Sequence, residues 1–244
     1  MKSNLDQNQG HRCGRLVLQG LSGCFGLFLL AACSSSPSKS WSAALEYQDQ
    51  EIETVTADSS VLTGSAGEVD LRDVNRSRVG VLIQQGHGDF HWRFGAHSEE
   101  FLEVFDLYGV QAGLGGFLPF AGEEEPGFGF AWDLDLSVSF GSGDYQTPGG
   151  PMNSSLDLLY SQTQGEAAIG WRYGDFLPMA GLYAALFRGQ VDIAGSSDQD
   201  FDAFSVSGMI GADYQSPENP FLAHFRAYLG GDVSGFSIAG GFLF

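Results

Sequence analysis

Beyond its first 33 residues this 244-residue chain has no cysteine, since Cys13, Cys24 and Cys33 are the only three. No disulfide or cysteine-rich metal site is therefore available to the body of the protein. Positive charge is nearly as scarce: 11 Lys and Arg face 30 Asp and Glu, for a formal net charge of −19. Lys2, Arg12, Arg15 and Asp6 contribute a net +2, so the chain beyond residue 32 carries −21. That surplus argues against nucleic acid as a partner and against docking on anionic headgroups by charge alone. There is no phosphate-cradling glycine loop with a lysine, no H-E-x-x-H, no C-x-x-C and no G-x-S-x-G elbow. No cofactor and no metal site is expected. A helical bundle is disfavoured as well, because the 35 glycines would each cost a helix interior about 1 kcal/mol relative to alanine.

What the chain does have is alternation. From Phe128 to Phe140 the even positions read Phe128, Phe130, Trp132, Leu134, Leu136, Val138 and Phe140. The odd positions read Gly129, Ala131, Asp133, Asp135, Ser137 and Ser139. A period of two puts one apolar face and one small or acidic face on a single β-strand. At about 3.3 Å per residue the apolar face runs roughly 40 Å, which a tilt near ~40° projects to about 30 Å of height. A transmembrane barrel needs an apolar band of about 25 Å. Abundant glycine and 20 Phe suit the same fold, with small residues in a narrow lumen and aromatics facing lipid.

Similar strands follow one another from Arg78 to Phe244. Apolar parity flips at Gly86-His87-Gly88 and again near Gly165, and each flip reads as a bulge in one long strand or a tight hairpin between two short ones. Counted as bulges, with His97 to Glu100 a compact loop, they give an all-β, eight-stranded, antiparallel up-and-down transmembrane barrel over residues 78–244. Splitting both gives ten strands. With eight, the turns Glu123 to Gly127, Gly174 to Pro178 and Ser216 to Pro220 share a side with the C-terminus, as periplasmic turns should.

Residues 1–32 form a weakly basic stretch and an apolar run too short to span a membrane, the layout of a signal peptide. The run ends in Leu30-Ala31-Ala32-Cys33 followed by Ser34. This resembles the lipobox of bacterial lipoproteins, which implies acylation of Cys33 and, with Ser34 next, passage to the outer membrane. Ordinary signal cleavage nearby, for instance after Ser34, is the alternative. Residues 33–77 then read as a lipidated N-terminus and a flexible acidic tether, lacking the sustained apolar face that burial requires.

The last strand ends the chain with Phe236, Ile238, Phe242 and Phe244 on one face. It resembles the C-terminal insertion signal of bacterial outer-membrane barrels. That resemblance implies recognition by the barrel-assembly machinery, outer-membrane lipids as surroundings, and the bacterial cell outer membrane as location. If the apolar parity faces lipid, then Arg93, Gln111, Asp133, Asp135, Glu166, Arg172, Asp213, His224 and Arg226 point inward. Unpaired buried ions cost several kcal/mol, so an ion-pair network of Arg93, Asp133, Asp135, Glu166, Arg172, Asp213 and Arg226 is expected. The pattern resembles the interior of small OmpA/OmpX-type barrels, where eight strands leave room for side chains or one small ligand.

A structural or surface-interaction role follows, with the extracellular loops meeting a partner that the residues do not identify. The alternatives are a porin-like small-solute channel and a soluble lipocalin-like lipid-binding lipoprotein. A further one is an outer-membrane lipid-modifying esterase, such as a lipid A deacylase, with Ser98 as nucleophile and His97 as base. Against the esterase, adjacent strand residues point apart. Asp192, Asp198, Asp200 and Asp202 begin like a Ca²⁺ loop, but Ala203 and Met209 stand where such a loop needs Gly and Glu. They read as a solvated acidic loop.

Overall fold

Alternation of this kind closes on itself. The computed structural model describes residues 41–58, 68–87, 90–102, 105–120, 127–146, 153–193, 199–216 and 220–244. Cys33 and the leader lie outside the described residues. The strands are β1 (Trp41–Asp58), β2 (Glu68–His87), β3 (Phe90–Phe101), β4 (Phe105–Pro119) and β5 (Gly127–Gln146). They continue with β6 (Asn153–Arg172), β7 (Phe176–Ile193), β8 (Gln199–Gln215), β9 (Phe221–Leu229) and β10 (Val233–Leu243). Each pairs antiparallel with its sequence neighbour, and β1 closes the barrel on β10. Among the described residues the count is ten, not eight.

Four expectations are corrected, and each correction has a local cause. The acidic tether assigned to residues 33–77 is strand over 41–58 and 68–77. In β1 the outward side chains change from Ala43, Leu45 and Tyr47 to Asp49, Glu51 and Glu53, while the inward ones are mostly polar. Neither face stays apolar long enough to betray a strand, yet β1 is in register with both β2 and β10. The Gly86 flip is a hairpin: β2 and β3 meet at His87↔Phe90, and Gly86 has φ 112°, a left-handed value that suits glycine. The Gly165 flip is neither bulge nor hairpin. β5 and β6 stay in register from Gly127↔Arg172 to Gln146↔Asn153, and the parity changes because Leu158 and Tyr160 turn into an apolar interior. Likewise His97 to Glu100 is not a loop but the far half of β3, with His97 and Glu99 buried inside and Ser98 and Glu100 outside.

Both termini of the described barrel lie at one end, where Trp41 and Phe244 exchange backbone hydrogen bonds of 3.2 and 2.8 Å. The connections after β2, β4, β6 and β8 share that terminal end. Outward positions are apolar over most of the wall, with Val79, Val81, Val110, Leu134, Leu182, Ile210, Phe225 and Ile238 among the exposed side chains. Aromatics gather toward the terminal end, among them Phe90, Phe128, Trp171, Tyr173, Phe221 and Phe242.

The wall changes circumference with height. β9 and β10 have only 9 and 11 residues, against 18 in β1 and 17 in β8. Past their tip β1 pairs directly with β8 at Thr56↔Asp202 and Ala57↔Phe201. Asp232 ties the tip to both neighbours. Its amide donates to Val206 O at 3.0 Å, its carboxylate accepts from Val206 N at 3.1 Å, and its carbonyl accepts from Glu53 N at 2.8 Å. Directly opposed strand residues have Cβ atoms about 5 Å apart, so the closure can be trapped. In a chain whose three native cysteines are serine, Thr56→Cys with Asp202→Cys should form an intrachain disulfide in the folded state. Failure to cross-link under oxidising conditions, read by gel mobility with and without reductant, would contradict this closure.

Candidate functional site

Inward positions arrange the lumen in layers. At the far end from the termini the filling is apolar, with Ile52, Val74, Phe101, Leu107, Phe187 and Val233 all buried. Below it sits a polar layer centred on Glu99, whose side chain is 0% exposed. Arg76 donates from Nε to Glu99 Oε1 at 2.7 Å and from Nη2 to Oε2 at 3.3 Å. Arg78 donates to Oε2 from Nε at 3.2 Å and from Nη2 at 3.1 Å. The Tyr160 hydroxyl donates to Oε1, and Ser139 Oγ lies 3.4 Å from Oε2. His97 Nε2 is 2.9 Å from Ser139 Oγ. Arg78 alone reaches β3 through Glu99, β4 through Gln111, β5 through Ser137 and β6 through Gln162. Arg76 reaches β1 through Gln50, at 2.9 Å. The bonds of this layer thus cross the lumen among β1, β2, β3, β4, β5 and β6.

Toward the terminal end lies the network expected from sequence, in two parts. Arg93 on β3 bridges Asp133, 2.9 Å from Nη1, and Asp135, 2.9 Å from Nε and closer still from Nη2. Arg226 on β9 bridges Glu166, 2.9 Å from Nε, and Asp213, 2.5 Å from Nη1. Tyr228 donates to Glu166 at 3.2 Å, and His224 Nδ1 is 3.0 Å from Asp213. The Arg172 guanidinium lies over the Phe117 ring at 4.3 Å. Phe236, Ile238, Phe242 and Phe244 all point outward from the last strand and its end.

Glycines on β4 make room for these groups. A Cβ at Gly113 would strike the Asp135 carboxylate, one at Gly115 would strike Asp133, and one at Gly109 would strike His97. The small face of β4 and the charged face of β5 are thus one feature, seen from two strands. Below the network opens a cavity of about 380 Å³, with its polar side at Asp133, Glu166, Asp213, His224 and Arg226. Its apolar side is Phe117, Met179 and Met209, and its mouth is the β6–β7 turn at Gly174 and Asp175.

Sequence reasoning missed the more deeply buried half of the site. Arg76 fell in the supposed tether and Glu99 in the supposed loop, so neither was placed in the lumen. The available signal was spacing: Arg76-x-Arg78 and His97-x-Glu99 put charges on one strand face two residues apart. The esterase pair is separated, with His97 buried inside and Ser98 exposed on the outer wall.

No protein-family model and no curated protein matches this sequence. Among solved structures, the chain is similar to Ail, the attachment invasion locus protein of Yersinia pestis. That match has 9% identity and a TM-score of 0.37, over 84% of this chain and 99% of that one. The translocator domain of the autotransporter NalP from Neisseria meningitidis aligns at 12% identity and a TM-score of 0.43, over 95% and 98% of the two chains. The outer membrane protease OmpT from Escherichia coli aligns at 8% identity and a TM-score of 0.38, over 85% and 95%. At such identities and scores the lumen's own residues are the better guide to function.

Removing one member of a buried ion cluster leaves the others uncompensated, at a cost of about 3–5 kcal/mol. Glu99→Gln should therefore lower stability by that amount in urea unfolding of the detergent-folded barrel. Glu100→Gln, one residue away on the outer wall, should change it by less than about 0.5 kcal/mol. Equal effects from the two would mean that Glu99 is not the buried partner of Arg76 and Arg78.

Proposed function

We propose that this chain is an outer-membrane β-barrel protein of bacteria, with a structural or surface-interaction role and no through-pore. The observation that carries the reading is the pairing of two opposite faces: apolar side chains outside, and a closed charged layer at Glu99 inside. An apolar wall of this extent is stable against lipid and not against water. The outward Phe236, Ile238, Phe242 and Phe244 give the barrel-assembly machinery the edge that it reads. The filled lumen is the feature shared with small OmpA/OmpX-type barrels, in a wall of ten strands.

Beyond the apolar band the far end carries Glu51, Glu53, Glu100, Asp106, Asp157 and Asp202, all exposed on the outer wall. In the outer membrane this end faces the cell exterior, since the short turns and termini of such barrels are periplasmic. The partner-facing surface is then acidic. A lipocalin-type role fits less well, because the larger apolar surface lies outside the barrel. An esterase built on Ser98 and His97 fits poorly, because the two groups lie on opposite faces of the wall.

Cys33 is the proposed acylation site, which the residues before it support by their likeness to a lipobox. The test is incorporation of labelled palmitate in the native cell, expected in the wild type and abolished by Cys33→Ser. Palmitate retained in Cys33→Ser would remove the anchor from the reading. For the barrel itself, the membrane-fraction protein should migrate differently in SDS when unheated and when boiled. Purified protein in planar bilayers should give no discrete conductance steps. Regular steps would make it a channel.

A further inference from the structure

The cavity below the network has a property that the closed lumen does not require. Its lining carries four carboxylates, Asp133, Glu166, Asp175 and Asp213, against two guanidiniums, Arg172 and Arg226. Arg93 and Asp135 behind this lining cancel each other. Counted over its carboxylates and guanidiniums, the lining is short of two positive charges. Asp133 and Glu166 are moreover direct cross-strand partners on the inward face, a placement that repels unless a cation stands between them. Arg93 approaches Asp133 from one side and Arg226 approaches Glu166 from the other.

Two buried atoms beside this pair lack a hydrogen bond. His91 Nε2 lies 3.5 Å from Asp133 Oδ1 without bonding it, and Asp133 Oδ1 faces Arg93 Nη1 at 2.9 Å outside hydrogen-bond alignment. The pair also stands at a waist: Gln84, Asp133, Glu166, His224 and Arg226 line both the main cavity and a second chamber of about 60 Å³. Beside it, along the same wall, the lining turns apolar: Ala168 follows Glu166 by two residues on β6, with Phe117, Met179 and Met209 in the same lining. Among the described residues no group of three or more metal-ligating side chains is assembled, and thioethers beside an aromatic ring suit an organic body better than a hydrated ion.

We propose that this cavity is a binding site for a small organic ammonium ion with an apolar body. The ammonium sits between Asp133 and Glu166, where it donates charge-assisted hydrogen bonds of about 2.8 Å, and the body lies against Phe117, Met179 and Met209. A volume of about 380 Å³ falls within the range of small-molecule sites, about 300–1,000 Å³. Entry is from the terminal end, past the β6–β7 turn, because the Glu99 layer blocks the other direction. That this end meets the periplasm rests on the membrane reading above. Binding does not, so the two are tested separately.

The test is titration calorimetry on the full chain folded in detergent, with 2-phenylethylammonium as probe. Phenylacetate and the neutral 2-phenylethanol serve as controls of nearly the same shape. The ammonium should bind saturably, at least ten-fold more tightly than either control. Glu166→Gln should weaken it at least ten-fold while the heat-dependent SDS mobility stays intact. Should Glu166→Gln fail to fold, Ala168→Phe fills the cavity and leaves every charge in place, and it should abolish binding. Three outcomes overturn the proposal: no binding, equal binding of the neutral alcohol, or binding undiminished in Ala168→Phe. The first means that the groups already in the lumen balance the cavity's charge without a ligand. The last places the probe on the outer wall or in the detergent.

Discussion

A carboxylate with no exposed surface holds this barrel's interior together. Glu99 accepts from two arginines of β2 and from the hydroxyl of Tyr160 on β6, so one side chain ties three strands. Through Arg78 the tie extends to β4 and β5, and through Arg76 to β1. Buried ion clusters add little net stability over a well-packed apolar filling, because desolvation offsets most of the attraction. What they impose is register. A one-residue slip of β2 would carry Arg76 and Arg78 to the outer wall and leave the buried Glu99 without a guanidinium.

That dependence governs composition elsewhere. Charged side chains need width against the wall, and β4 supplies it by presenting Gly109, Gly113 and Gly115 to the interior. Sequence composition therefore looked like a generic barrel, rich in glycine and phenylalanine. Gly109, Gly113 and Gly115 are placed where a carboxylate or an imidazole lies against the backbone, and the phenylalanines mostly where the wall faces out.

How much of this was legible depended on what each face had to contrast with. β5 was plain, because seven apolar outward residues alternate with small or acidic inward ones. Asp133, Asp135, Glu166, Asp213, Arg93 and Arg226 were legible for the same reason, as polar residues on an otherwise apolar strand. β1 was not, since its outer face turns acidic at Asp49 and its inner face is polar too, which reads as solvent on both sides. The Gly165 flip misled in the opposite way: an apolar far-end core draws Leu158 and Tyr160 inward while the strand itself runs straight. Periodicity reports contrast between faces, and it fails wherever the lumen becomes as apolar as the outside or the outside as polar as the lumen.

The short β9–β10 hairpin makes strand number a local quantity. Around the terminal end a section through the molecule cuts ten strands, and past the hairpin tip it cuts eight. A section of eight is about what side chains can fill, whereas ten leaves space over. The barrel of described residues is thus filled by side chains at one end and opens onto a cavity at the other.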